Sequence, residues 1–349
     1  MAFPQAPQTS FASDNSAGAH PKVIEAIERA NHGHVLAYGD DDETRQAVNR
    51  FRELFDRPIE VFFAFNGTGA NVMGLTDLAR PGDAVICTQR SHIACDETGA
   101  PEWVGGIKLV DLPSHDAKLV PAQITDQMEA LGVMHHAQPR LVSITQSTEL
   151  GTVYTLDEIA ALSDEARRHG ARLHLDGARI ANAVAALGGN DDILGTIADL
   201  VDVISFGGTK NGGVLGEAVI YTDPELATRA IYTRKAVTQL PSKMRFIAAQ
   251  FNALLTDGLW LELAANANAM ATLLYREVST IPGIDPGRAP QVNSLFPTLP
   301  DAAIAPLQDW SFFWEWNRPS VRWMTAWDTS AEDVHTFARG IAQILEKNS

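Results

Sequence analysis

The stretch that decides the fold is ARLHLDGARI (171–180) followed, one helix's length later, by VDVISFGGTKNGG (201–213). Upstream, TLDE (155–158) is a capping box opening a helix that carries Ile159, Leu162 and Ala166 on one face, and Gly170 stops it. Residues 171–176 then read as a buried strand. Gly177, Ala178 and Arg179 turn the chain into another helix, through Ile180 and Val184 to Gly188. Residues 201–206 form a second strand ending in the glycine-rich turn, and a further strand follows over 219–222. Strands alternating with helices predict a mostly parallel sheet covered on both faces.

The last third has a different texture. Residues 242–257 look helical and 259–278 continue as a long helix. After Ile281, Pro282 and Gly283 come strand-like segments around 292–296 and 312–316, then 321–327, which alternates as a strand with one buried face. A closing helix opens at the SAED box (330–333), with Val334, Phe337, Ile341 and Leu345 at helical spacing. These patterns place a domain boundary near residue 258.

A chain of 349 residues suits about two domains of roughly 150 residues. Its net charge of −16 argues against a grip on nucleic acid or an anionic membrane, which need clustered positive charge. A small anion needs only a few local donors and is not excluded. Hydrophobic residues at 45% against 20% charged describe a chain able to bury a substantial core. The two cysteines, Cys87 and Cys95, exclude a disulfide scaffold and a four-cysteine zinc site. Residues 1–10 lack the basic and apolar regions of a signal peptide, and no apolar run approaches the ~20 residues of a membrane span. The expectation is a cytoplasmic, acidic, globular protein.

Three strand ends can carry chemistry, because ligands bind there in open α/β sheets. FNGTGAN (65–71) puts two glycines and a threonine at a helix start, where free N–H groups and the helix dipole favour a phosphate; a plain tight turn reads equally well. Asp176 ends its strand with a carboxylate that either faces a ligand or caps the next helix. Lys210 is the only cation in a segment with five glycines between Gly207 and Gly216, either at a ligand or in solvent. It is not a Walker loop, since Asn211 follows it. Together the three match what pyridoxal phosphate requires: a phosphate cup, a carboxylate to keep the pyridine nitrogen protonated, and a lysine to link covalently to the aldehyde.

The segments FASDN (11–15), YGDD (38–41), FAFNGT (63–68), LHLDGAR (173–179), SFGGTKNG (205–212) and KMR (243–245) are similar to those of the pyridoxal-phosphate-dependent L-threonine aldolases. The resemblance covers nearly the whole chain and extends to the related phenylserine aldolases. It implies an α/β, fold type I architecture (the PLP-dependent transferase-like fold), with a large domain built on a mostly parallel seven-stranded sheet and a smaller C-terminal α+β domain. The corresponding divisions are an N-terminal arm over 1–15, a large domain over 16–258 and a small domain over 259–349.

It also implies roles. Lys210 is the cofactor-bearing lysine and Asp176 the partner of the pyridine nitrogen. Gly67 and Thr68 form the phosphate cup, Thr209 and Arg179 also bind the cofactor, and Arg245 reaches the phosphate from the same or a neighbouring subunit. Ser13, Arg179 and Arg322 hold the substrate carboxylate, as suits an arginine fork. His92, in the context SHIA (91–94), stacks on the cofactor ring and is one candidate base for the substrate β-hydroxyl. Tyr38 lies at a subunit interface beside the site.

Two positions depart from better-known members. Glu149 stands where many have a histidine near the hydroxyl, so base, water-orienting and purely structural roles stay open for it. Asp96 stands where some have an aromatic residue. The implied reaction is retro-aldol cleavage of L-threonine, L-allo-threonine or L-phenylserine to glycine and an aldehyde, in a homodimer or homotetramer with sites at the interface. The alternatives are a β-eliminating lyase of the same fold and a non-catalytic binding protein on this scaffold. No spacing of metal ligands is present. Trp314, Trp316, Trp323 and Trp327 are expected in the small-domain core rather than the substrate pocket.

Overall fold

The computed structural model describes residues 4–190 and 192–348, so the first three residues of the expected arm lie outside it. Seven strands form the main sheet: β1 (Glu60–Ala64), β2 (Asp83–Thr88), β3 (Lys108–Leu112), β4 (Gln138–Thr145), β5 (Arg172–Gly177), β6 (Val203–Gly207) and β7 (Glu217–Tyr221). Their order is β1-β7-β6-β5-β4-β2-β3, and β7 alone runs against the others. Every residue of β6 and β7 is buried, as a sheet with helices on both faces demands.

The local signals act as their chemistry dictates. Glu158 N–H donates to Thr155 Oγ1 at 3.1 Å and Thr155 N–H to Glu158 Oε2 at 2.7 Å, closing the capping box of the helix Leu156–Arg168. Gly170 then takes φ +71°, a turn an L side chain resists, and the chain enters β5. The helical reading of 242–257 shortens to Arg245–Leu255, because Asp257 and Gly258 both adopt left-handed backbone and kink the chain before the helix Leu259–Val278.

That long helix joins two cores. Leu259, Trp260, Leu263 and Ala264 pack into the large domain, whereas Ala271, Leu274 and Val278 belong to the small one. The small domain adds an antiparallel sheet of β8 (Ser294–Leu295), β9 (Trp314–Glu315) and β10 (Val321–Met324), in the order β8-β10-β9. Its closing helix Ala331–Asn348 contributes Val334, Phe337 and Ile341 to the core. Phe11 of the arm stacks on Phe337 at 4.2 Å between ring centres, and its carbonyl accepts from Met324 N–H at 2.8 Å. The arm is thereby pinned beside β10.

The alternation read into 321–327 holds only at its start. Val321 and Trp323 enter the small-domain core, while Arg322 and Met324 face a cleft rather than open solvent. The four tryptophans divide as well. Trp323 is core, and Trp327 packs against the large-domain core. Trp314 and Trp316 line the cleft, contrary to expectation, because β9 is a two-residue edge strand with both residues exposed.

Candidate active site

The loops after the parallel strands converge with the arm and the small domain on one cleft of about 350 Å³. Of the residues singled out by sequence, Ser13, His92, Asp96, Glu149, Arg179, Lys210 and Arg322 line it. Asn15, Thr148, Ser294, Trp314, Glu315, Trp316 and Met324 complete the wall. Lys210 sits in a single 3-10 turn, Thr209–Asn211, after β6. Its Nζ makes no ion pair or hydrogen bond among the described residues. Burial, and then the Arg179 cation, push its amine below the ordinary lysine range, which favours the neutral, nucleophilic form.

Asp176 ends β5 and is buried. Its Oδ1 accepts from Ala178 N–H at 3.0 Å and its Oδ2 from Asn71 Nδ2 at 3.0 Å. The other Asn71 amide proton goes to Glu97 Oε1 at 2.8 Å, and that same oxygen lies 2.8 Å from His92 Nδ1. Burial works against a charged His92, but the Glu97 hydrogen bond is the larger influence and raises its pKa.

Glu149 reaches the cleft from the turn after β4. Oε1 accepts from His92 N–H and from Thr145 Oγ1, both at 2.8 Å, while buried Oε2 has no partner. Burial pushes its carboxyl up to about 7. Beneath the lysine turn, Glu217 accepts from Gly208 N–H at 2.7 Å and bonds the Thr209 hydroxyl; burial lifts it to about 7 as well. Thr209 is therefore engaged below the turn and is not part of the cleft wall.

The two arginines differ from the sequence expectation in what they offer. Arg179 Nε and Nη2 form a bidentate pair with Asp14 at 2.6 and 2.8 Å, so the edge of its fork is already filled. Burial alone raises the Asp14 carboxyl, but Arg179 outweighs it and holds the group below its ordinary range. Arg322 is freer. Its Nε is buried without a partner, its Nη2 makes only a 3.4 Å contact to the Ala12 carbonyl, and the Trp316 ring lies 5.1 Å from its guanidinium.

Gly67, Thr68, Arg245 and Tyr38 are outside the cleft wall. Gly67 and Thr68 are the first residues of the helix Gly67–Leu78, where N–H groups have no carbonyl within the helix. Asn66 caps that helix through Gly69 N–H at 2.8 Å. Gln239 accepts from Phe65 N–H at 2.9 Å, and a Cβ at Gly69 would fall 2.1 Å from its carboxamide. Arg245 instead points to the carbonyls of His32 and Gly33, at 3.3 and 3.4 Å. Tyr38 takes φ 64°, donates its N–H to Ser242 O, and has Lys235 Nζ 5.2 Å from its ring.

Asp14, Asn71, Glu97 and Gln239 escaped the sequence reading. Asp14 and Asn71 each had one local signal, a place in FASDN beside Ser13 and at the end of FNGTGAN (65–71); Glu97 and Gln239 had none.

A parallel sheet with a lysine turn after β6, a carboxylate at the end of β5 and a C-terminal domain closing the cleft defines an enzyme of the aspartate-aminotransferase-like architecture. The chain superposes on an aspartate aminotransferase from Rhodobacter sphaeroides with a TM-score of 0.69 over 99% of this chain and 96% of that one; at 17% identity this speaks for the fold alone. Residues 10–300 match the beta-eliminating lyase family, and the chain belongs to it, grouping there with the threonine aldolases. It is 42% identical over 338 residues to the low specificity L-threonine aldolase of Pseudomonas sp. (strain NCIMB 10558), covering 96% of this chain and 97% of that one. It also resembles Leishmania major threonine aldolase, with a TM-score of 0.91 and 34% identity over 98% of this chain and all of that one.

Proposed function

We propose that the protein cleaves L-β-hydroxy-α-amino acids, threonine among them, to glycine and an aldehyde using pyridoxal 5'-phosphate. The residues fit that cofactor: an unpaired, partly buried lysine amine, a buried carboxylate at the right strand end, and free N–H groups at Gly67 and Thr68. When bound, pyridoxal 5'-phosphate supplies a covalent carrier for the amino group and an electron sink for the pair released at Cα. Lys210 holds it, Asp176 keeps a proton on the ring nitrogen, and His92 is the stacking partner.

Arg322 takes the substrate carboxylate through its guanidinium, helped by the remaining Nη1 of Arg179 and by Ser13. In this reading the β-hydroxyl lies toward Glu149. The observation that carries the aldol reading is the unpartnered Glu149 Oε2. A carboxylate with a pKa of about 7 is suited to take the β-hydroxyl proton near neutrality, and burial stabilises the neutral acid that results. β-Elimination needs no base at that position.

Support for a symmetric assembly comes from Leu36 (71% exposed), Tyr38, Phe65 and Tyr232 (70% exposed), large apolar residues that a single copy leaves bare. We place Arg245 at the phosphate of a neighbouring copy. Among the described residues no helix is long and apolar enough to cross a membrane, and a cytoplasmic setting is part of this proposal. The test is to incubate cofactor-loaded protein with L-threonine, L-allo-threonine and L-phenylserine. Glycine and aldehyde in equal amounts are expected; ammonia and a keto acid would establish elimination instead.

A further inference from the structure

Glu97 has a place in the site that neither the cleft wall nor the reaction explains. Its side chain is fully buried, on the loop after the short helix His92–Cys95. Oε1 serves two donors at once, His92 Nδ1 and Asn71 Nδ2, each at 2.8 Å, while Oε2 has no partner. A buried carboxylate without a counter-ion is costly unless hydrogen bonds support it. Asn71 spends both its amide protons on carboxylates, one on Glu97 and one on Asp176 at 3.0 Å, leaving its own Oδ1 unpartnered. Two carboxylates are thus held on one amide, an arrangement that requires both to accept.

We infer that Glu97 is a positioning residue: it fixes the His92 proton on Nδ1, leaves Nε2 toward the cleft, and through Asn71 locks the histidine to Asp176 as one unit. An ionised carboxylate can only accept, so Nδ1 must carry hydrogen, and the hydrogen bond at one ring nitrogen sets the state of the other. The Nδ1 hydrogen bond orients the ring, and the backbone N–H of the same residue is separately tied to Glu149 Oε1. The charged groups around His92 are Glu97, Asp176 from β5, Lys210 from the turn after β6 and Glu149 after β4. Of the carboxylates only Glu97 touches the ring. The inference rests on the proposed function where it assigns His92 to the cofactor ring.

The experiment uses the full-length, cofactor-loaded protein with ¹⁵N-labelled histidine, His92 being assigned by its absence from His92→Asn. Long-range ¹H–¹⁵N spectra are expected to show wild-type His92 protonated at Nδ1. In Glu97→Gln the His92 titration midpoint is expected to move to lower pH with mixed tautomers, and kcat to drop about 10- to 100-fold, as for loss of other histidine-orienting carboxylates, with KM within about twofold. Glu97→Asp should restore the Nδ1–H form. An Nε2–H tautomer in the wild type, which requires no variant to fold, overturns the inference; so does a midpoint unmoved in Glu97→Gln. If the wild type releases no aldehyde, the proposed function fails while the tautomer still decides the role of Glu97.

Discussion

The floor and the outer wall of the cleft are built on opposite terms. On the floor, supplied by the large domain, the polar side chains form one chain, Asp176 to Asn71, Asn71 to Glu97, Glu97 to His92, and His92 N–H to Glu149, and the buried atoms it leaves unpartnered, Asn71 Oδ1, Glu97 Oε2 and Glu149 Oε2, are all acceptors. On the wall, supplied by the small domain, Arg322 Nε and Trp316 Nε1 are buried without partners and Trp314 is 53% exposed. The floor is pre-organised for a group that always occupies it, so its donors need no rearrangement. The wall leaves donors unspent, as suits a substrate carboxylate that comes and goes. Changes to the floor should therefore strike kcat, and changes to the wall KM.

The largest effect is expected for Asp176→Ala. It removes the charge that stabilises a protonated ring nitrogen and strands one Asn71 donor, so kcat should fall by at least about 10²–10³ even where the visible cofactor band persists. Near-normal turnover in the loaded variant would remove Asp176 from that role. Next comes Glu149→Gln. Only the carboxylate can take a proton, and its pKa is about 7, so wild-type kcat should rise with pH through that range. The variant should lose the rise and about 10² in rate. Glu217 is raised to about 7 too, and the Glu97 hydrogen bond raises the His92 pKa, so a limb that survives in Glu149→Gln would belong to one of these two.

The same floor and wall differ in how legible they were in the sequence. Lys210 and Asp176 could be read because their signals are local: a strand that ends in aspartate, and a lysine inside a glycine turn. Asn71 and Asp14 could not, since their roles come from partners far along the chain; Glu97 lies only five residues from His92, but no local pattern says that its carboxylate turns back onto the ring. Asn71 meets Asp176 across 105 residues and Arg179 meets Asp14 across 165. The seven-stranded sheet was accessible from the resemblance and from alternation, because buried parallel strands advertise themselves in apolar runs. Trp314 and Trp316 were misplaced for a related reason: aromatic spacing looks alike on a core strand and on an edge strand facing a cleft. What sets them apart is the three-stranded order, which no local pattern encodes.

On the wall, Arg322→Leu separates binding from chemistry. Its guanidinium, which lines the cleft and has one 3.4 Å hydrogen bond, is the strongest candidate for the substrate carboxylate, and a hydrogen bond between charged groups contributes about 1.5–3 kcal/mol. KM should rise about 10- to 100-fold with kcat little changed. An equal loss in kcat would show that Arg322 acts on the reacting bond, and the contrast between floor and wall would break.

The smallest effect, and the one that sharpens the contrast most, is expected for Trp314→Ala. Trp314 meets Phe312 edge-to-face at 5.0 Å, and in register it stands opposite Arg322 across the β9–β10 pair. A ring so placed offers an aromatic face to a substituent extending from the substrate Cβ, and such contacts contribute about 0.5–1.5 kcal/mol beyond simple burial. The variant should lose several-fold in kcat/KM for L-phenylserine and almost nothing for L-threonine, whose methyl group is too short to span the cleft to an edge strand. Folding should be unaffected, because the residue is exposed and outside the small-domain core. Equal losses on both substrates would mean that Trp314 shapes the cleft for the shared amino-acid portion, and selectivity for the β-substituent would then have to come from the Asp96 side.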